Sequence, residues 1–363
     1  MIVMNKHAVP RITLLLILST IWATCVDNID FEVDSDVVGN LAISGKIVKG
    51  VAGTASTVTV AASRVLDFSP VATEGLTFSK IEVVDEDGNS LEVPGIAIGK
   101  YQLRIPPNHP TFKVEVGKKY GIRLTQVDGT VYASDLEEIE PVTQPFRVDV
   151  DMETRQYFDK DGSTRYQDHL LFDLKTNLRN PFTGNPGRLR WDVIQSYSFT
   201  DDSGITCYIE QFINDDRVRI LDGNELDADS ALVRLYEPSV TNQFAEGAYI
   251  TFIQESLTPG AYDYWSNLVT VNNRTGNMFE QPVGKLRSNI HRTDDPQEDV
   301  FGYFYATQQD TFRRYVTPAE AGNPVTRCPF IPAGPTQDPC PQFCCDCTRD
   351  PKSLHTKPRY WTK

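Results

Sequence analysis

Four cysteines fall within eight residues in CPQFCCDCTRDPK, which begins at Cys340, and Cys328 lies upstream. Thiolates this close can cage Zn or Cu(I), run redox exchange, or pair as disulfides. The spacing Cys340-x3-Cys344-Cys345-x-Cys347 lacks the paired C-x2-C knuckles of structural zinc sites. Seven cysteines occur in all, and setting Cys25 aside leaves an even number. In an exported chain that count reads as disulfides among Cys207, Cys328, Cys340, Cys344, Cys345 and Cys347, with every pairing open. Adjacent Cys344 and Cys345 are not expected to bond each other, because so small a ring strains the peptide and the disulfide. The flanking GNPVTRCPFIPAGPTQDPCP sustains neither helix nor central strand, so something covalent must hold it. A bridge from the tail to the body, where Cys207 lies in an expected strand, would contribute about 2–4 kcal/mol.

Other reactive patterns are missing. Beyond His7, the histidines are His109, His169, His291 and His355, none at metal-ligand spacing. H-E-x-x-H, G-x-S-x-G, the P-loop and G-x-G-x-x-G are all absent, so neither a metal nor a cofactor is expected. DEDGNS (Asp85–Ser90) and DKDGS (Asp159–Ser163) resemble calcium loops. Their glycine comes two positions early and no Glu closes the loop, so both read as hairpin turns. A glycosidase needs only two placed acids, and the chain has 49 Asp and Glu. These carboxylates read as turn and solvated-face residues, so the expectation is a protein that is not an enzyme.

Export is read from the first residues, MIVMNKHAVPRITLLLILSTIWATC. Lys6 and Arg11 precede an apolar run from Ile12 to Ala23, shorter than the roughly 20 residues of a membrane span. Residues 1–24 are therefore expected to be a signal peptide, with lipid joined to Cys25. Asp27, Asp30, Glu32, Asp34 and Asp36 then repel one another, and residues 25–38 read as an extended tether. Formal charge is −14, and loss of Lys6 and Arg11 with the leader takes it to −16. A chain this acidic does not bind nucleic acid through counterion release.

The elements that must position any site are strands. LAISGKIV, STVTVAAS, KIEVVDEDG, KYQLRIP, KVEVG, YGIRLTQVDG and GTVYASDLEEI alternate with period two, separated by turn residues. Residues 39–141 thus read as an immunoglobulin-like β-sandwich. Pro141 to Pro145 marks a boundary, and residues 142–321 read as a second β-rich domain with one short helix. There Thr258 caps, Pro259 takes the first helical position, and Ala261, Tyr264, Trp265, Leu268 and Val269 share a face. Residues 322–363 form the Cys/Pro-rich tail.

In order along the chain, TCVDNIDFEV, DEDGN, GKYQL, VDGTVYASDLEEIEPV, RLRWDVIQSYSF and LTPGAYDYWSNL resemble one family, the Bacteroidetes outer-membrane lipoproteins called domain of unknown function 4249. The most specific block is SNIHRTDDPQEDVFGYFYATQQDTFRR, and Cys344 to Cys347 with Lys357-Pro358 and Trp361 is similar to the family's ending. Thr24 and Trp22 depart from its lipobox, and the doubled Cys344-Cys345 from its cysteine pattern. The resemblance implies an outer-membrane anchor facing the cell exterior and partnership with a TonB-dependent transporter; it brings no catalytic residues. Binding candidates are Tyr262 and Trp265 on the helix with His291, Asp294, Asp295 and Tyr303 in the specific block. The plainer account is that these residues cap a turn and fill a core. A non-enzymatic accessory or ligand-binding partner of a TonB-dependent transporter (a small nutrient being the ligand considered), a structural or assembly subunit of an outer-membrane complex, and a cryptic hydrolase are the functional readings, in that order.

Overall fold

In the computed structural model the described residues are 41–50, 53–64, 74–180, 182–213, 217–272, 286–328 and 342–363. Cys25, the tether and Cys340 lie outside them. Within them the alternating segments form strands, and the architecture is mainly β.

Strand Leu41–Lys49 buries Leu41, Ile43 and Ile47 on one side and turns Ser44 and Lys46 to the other. It pairs antiparallel with Ser56–Arg64, which pairs in turn with Lys100–Ile105. A second sheet, centred on Lys80–Asp85, Lys119–Thr125 and Val131–Ser134, packs Ile81, Val83, Ile122 and Leu124 into the same core. Each sheet has one apolar face, and facing the other sheet buries it.

Two expected strands are corrected here. KVEVG (Lys113–Gly117) is an irregular loop held by Tyr120, whose hydroxyl donates to Lys113 O at 2.6 Å and accepts from Glu115 N at 2.8 Å. Phe112 and Val114 are still buried, so a clamped loop reproduces the alternation of a strand. GTVYASDLEEI breaks at Asp135-Leu136 into Val131–Ser134 and Glu137–Glu138, both paired with Lys119–Thr125.

Past Pro145 the chain builds a second core. The hairpin Pro145–Phe158 with Thr164–Asn177, joined by Ser230–Tyr236, lies across Arg188–Thr200 and Ala248–Leu257. Leu170, Phe172 and Leu174 meet Trp191, Val193, Ile250 and Phe252 there. Trp191 donates its indole N–H to Gln254 at 2.9 Å, and Gln254 donates to Thr143 O at 2.7 Å, fastening the connection between the halves.

The halves share one sheet. Phe304–Val316 pairs antiparallel with Ala248–Leu257 on one side and parallel with Leu41–Lys49 on the other. Ile290–Arg292 also returns, to pair with Val131–Ser134. Pro141 to Pro145 is where the chain passes from one core to the other, yet Ile290, Val300, Phe304 and Ala306 go back to the first. A parallel partner so far along the chain leaves no turn signal in the sequence.

The tail is bound to the body by the Cys207–Cys347 disulfide, while Cys328 bonds Cys344. Cys345 is disulfide-bonded as well. Ser353–Leu354 adds a short strand to Thr206–Phe212, and Trp361 is buried 5.2 Å from Tyr208 and 5.0 Å from Tyr249, ring centre to ring centre.

Candidate functional site

Alternation along the shared sheet sorts its two faces. Leu189, Trp191 and Val193 face the second core, so Arg190 and Asp192 between them face the reverse side. Register does the rest: Arg190 lies directly opposite Glu255, and Lys46 opposite Tyr305. Strands from both halves thereby deliver charges to one place.

Glu255 is fully buried there. Lys46 Nζ donates to its Oε1 at 2.5 Å, and Arg190 Nη1 and the Tyr305 hydroxyl donate to its Oε2 at 2.9 and 3.0 Å. Arg190 also forks onto Asp192, Nη1 to Oδ2 at 3.1 Å and Nη2 to Oδ1 at 2.7 Å. Lys46 Nζ stands 3.7 Å from Asp192, so two cations and two anions balance. Burial pushes the Glu255 carboxyl up, but Lys46 and Arg190 outweigh it and hold the group below the ordinary carboxylate range. Burial, then the charge of Glu255, pushes the Tyr305 hydroxyl far above its usual value. Glu255 therefore stays ionised and Tyr305 stays protonated at neutral pH.

The helix Pro259–Asn272 covers this cluster. Thr258 caps it, its hydroxyl accepting from Ala261 N at 3.2 Å and donating to Glu137. Ala261 is buried, and Trp265 takes the Arg190 guanidinium over its ring at 4.3 Å while standing edge-on to Tyr305 at 6.1 Å. Tyr264 stacks on Tyr303 at 5.0 Å, and the Tyr303 hydroxyl donates to Glu137 at 2.5 Å. Burial raises the Glu137 carboxyl, a strain its hydroxyl donors reduce.

Between the helix and the strands of the first half lies a cavity of about 480 Å³. Val60, Tyr101, Tyr264, Trp265, Tyr303 and Tyr305 make its wall largely apolar, and exposed Ile96 and Phe212 also border it. Arg190 and Trp265 line it too, and each keeps one buried donor, Nε and Nε1, without a hydrogen-bond partner. A buried donor left unmade costs about 1–3 kcal/mol, so two beside one cavity call for a reason.

Of the residues singled out from sequence, Trp265 and Tyr303 line the cavity. Tyr262 belongs to the small apolar cluster of Leu257, Ala261 and Tyr305 beside it. The other three lie elsewhere. His291 sits in the Ile290–Arg292 strand, 3.9 Å from Asp135; Asp294 pairs with Arg292 at 2.6 Å; Asp295 accepts from Gln297 N at 3.3 Å within a turn. For Asp295 the plainer account, turn capping, is what the structure gives.

Lys46, Arg190, Asp192, Glu255 and Tyr305 were not singled out. Glu255 corrects the reading of the carboxylates as turn and solvated-face residues. The available signal was YITFI, an apolar run broken only by Thr251 that marks a strand buried on both faces. A glutamate two positions on, inside such a strand, has to be paired.

Among the described residues, no group of three or more His, Cys, Asp or Glu is placed to hold a metal ion. No helix there is long and apolar enough to cross a membrane.

Fold and site together define a mainly β protein with two cores on one sheet and an aromatic cavity where they meet. The model of the family Domain of unknown function (DUF4249) matches residues 26–313, and the chain belongs to that family. The match stops short of the cysteine-rich tail, whose resemblance to the family's ending lies beyond it. No curated protein matches the chain.

Proposed function

We propose that the chain is a lipid-anchored protein of the outer-membrane surface that captures a small molecule and serves a TonB-dependent transporter, without catalysing a reaction. The observation that carries this reading is the aromatic cavity at the junction of the halves, with its two unpartnered donors. Its volume falls within the range of small-molecule sites, and a largely apolar wall with a few polar groups is their usual make-up. The basic and apolar stretch running into Cys25 supports the anchor, and the acidic residues behind it support a tether facing the exterior. We also read the first two sheets as immunoglobulin-like, supported by the Tyr120 clamp at the start of its strand.

Ala61 lines the cavity at an exposed position, so Ala61→Trp fills the space with little cost to folding. Native mass spectrometry of protein taken from its own envelope should find a small molecule on the wild type and none on Ala61→Trp. Equal mass additions on both, or none on either, would sink the capture reading. For the anchor, Cys25→Ala should release the protein from membranes; unchanged fractionation rules it out.

One observation favours the second reading, a subunit of an outer-membrane assembly. Between the Arg155–Gln167 pair and the turn, the backbones of the long hairpin pair only with each other among the described residues, and Tyr157, Phe158 and Tyr166 stand exposed there. Exposed aromatics on a projecting ribbon suit contact with a protein neighbour, which on a shared membrane could be the transporter itself.

A further inference from the structure

We infer that the cavity takes an uncharged, ring-bearing molecule whose acceptor atom is bound by Arg190 Nε and Trp265 Nε1. This rests on the capture reading above and specifies the ligand. Three observations carry it.

The first is the pair of donors. Arg190 uses both terminal nitrogens on Asp192 and Glu255, and its remaining N–H is buried and unpartnered. Trp265 offers only its indole N–H, likewise buried and unpartnered, on the ring over which Arg190 lies. Both residues line the same cavity and both nitrogens are covered, so a turn of the side chains toward it lets one acceptor-bearing molecule address what the protein leaves unmet.

The second is charge. Facing the site are Lys46 from the first strand, Arg190 and Asp192 from Arg188–Thr200, and Glu255 from Ala248–Leu257, which cancel within hydrogen-bonding distance. An anion at Arg190 Nε would lie beside two carboxylates that already hold the guanidinium. A cation would meet donors rather than acceptors. A neutral carbonyl, ether or ring nitrogen satisfies the N–H groups without disturbing the balance. Lys100 also borders the cavity but is exposed, where water screens it.

The third is the wall. Tyr101, Tyr264, Tyr303 and Tyr305 with Val60 and Ile96 present rings and aliphatic carbon, which favour a flat or ring-shaped body over a flexible polar chain.

Three probes of similar size separate the claims: coumarin, neutral with a carbonyl acceptor; naphthalene, with none; and coumarin-3-carboxylate, an anion. Titration calorimetry on the purified full chain should find coumarin bound roughly five- to tenfold more tightly than naphthalene, the worth of one good hydrogen bond. Coumarin-3-carboxylate should bind more weakly than coumarin. Trp265→Phe keeps a ring and removes a donor, and should shrink the preference for coumarin over naphthalene while both still bind. Equal binding of coumarin and naphthalene overturns the acceptor claim and leaves capture standing. Tightest binding of the carboxylate overturns neutrality alone. Silence of all three probes on the wild type overturns this inference, whereas the capture reading stands or falls by the native mass spectra of wild type and Ala61→Trp.

Discussion

Glu255 holds the junction together through three donors, and its removal leaves Lys46 and Arg190 facing each other across a buried gap. Breaking a buried pair from one side typically costs about 3–5 kcal/mol, because the remaining charge is uncompensated. Glu255→Gln should lower the urea midpoint at pH 7 accordingly, and an unchanged midpoint would mean the cluster adds nothing to stability. The pH dependence has a definite sign. The folded carboxyl lies below its unfolded value, so its contribution is complete above the unfolded pKa of about 4.3 and is lost as pH falls through the folded one. Wild type should therefore lose stability below pH 5 more steeply than Glu255→Gln. At this scale the sequence was partly legible. Trp265 and Tyr303 stood out as aromatics, whereas Arg190, Asp192 and Lys46 look like any polar residue on an alternating strand until register places them together.

The helix shows what local chemistry can specify. Thr258-Pro259 and the apolar stripe predict its start and its buried face, since capping and periodicity act within a few residues. The strands were legible for the same reason, except where Tyr120 clamps a loop into a strand-like pattern of burial. The hairpin is the element whose length exceeds any structural need, because two strands beyond the support of a third gain little in water. Tyr157 and Phe158 are exposed, so the double change Tyr157→Ser with Phe158→Ser should leave the thermal midpoint within about 2 °C of wild type. On the proposed contact with a transporter, it should also abolish crosslinking to that partner in intact cells. If crosslinking persists at the wild-type level, the ribbon is not the contact.

Across the whole molecule, the Cys207–Cys347 bond closes a loop with a sequence separation of 140 and ties the tail to a strand of the second core. Loss of such a bridge typically costs about 2–5 kcal/mol. Cys207→Ala with Cys347→Ala should lower the unfolding midpoint and raise the fluorescence response of Trp361 to an aqueous quencher, as the tail lifts from Tyr208 and Tyr249. An unquenched Trp361 in the double variant would show that strand pairing and ring contacts suffice. The sequence indicated a tail fastened by disulfides but not their pairing, since spacing carries no distance information between segments this far apart. It likewise marked a boundary near Pro141 without revealing that the last long strand crosses back over it.

That crossing sets a timetable for the nascent chain. Ile47 sits opposite Ala306, so the first strand waits for a partner made roughly 260 residues later, about 15–50 s at ordinary rates of synthesis. Throughout that wait one edge of Leu41–Lys49 has no neighbour to pair with, and an open edge invites pairing with another chain. During synthesis the chain therefore has to be shielded until Phe304–Val316 arrives, and a chain cut short before Phe304 keeps the Gly45–Lys49 edge open.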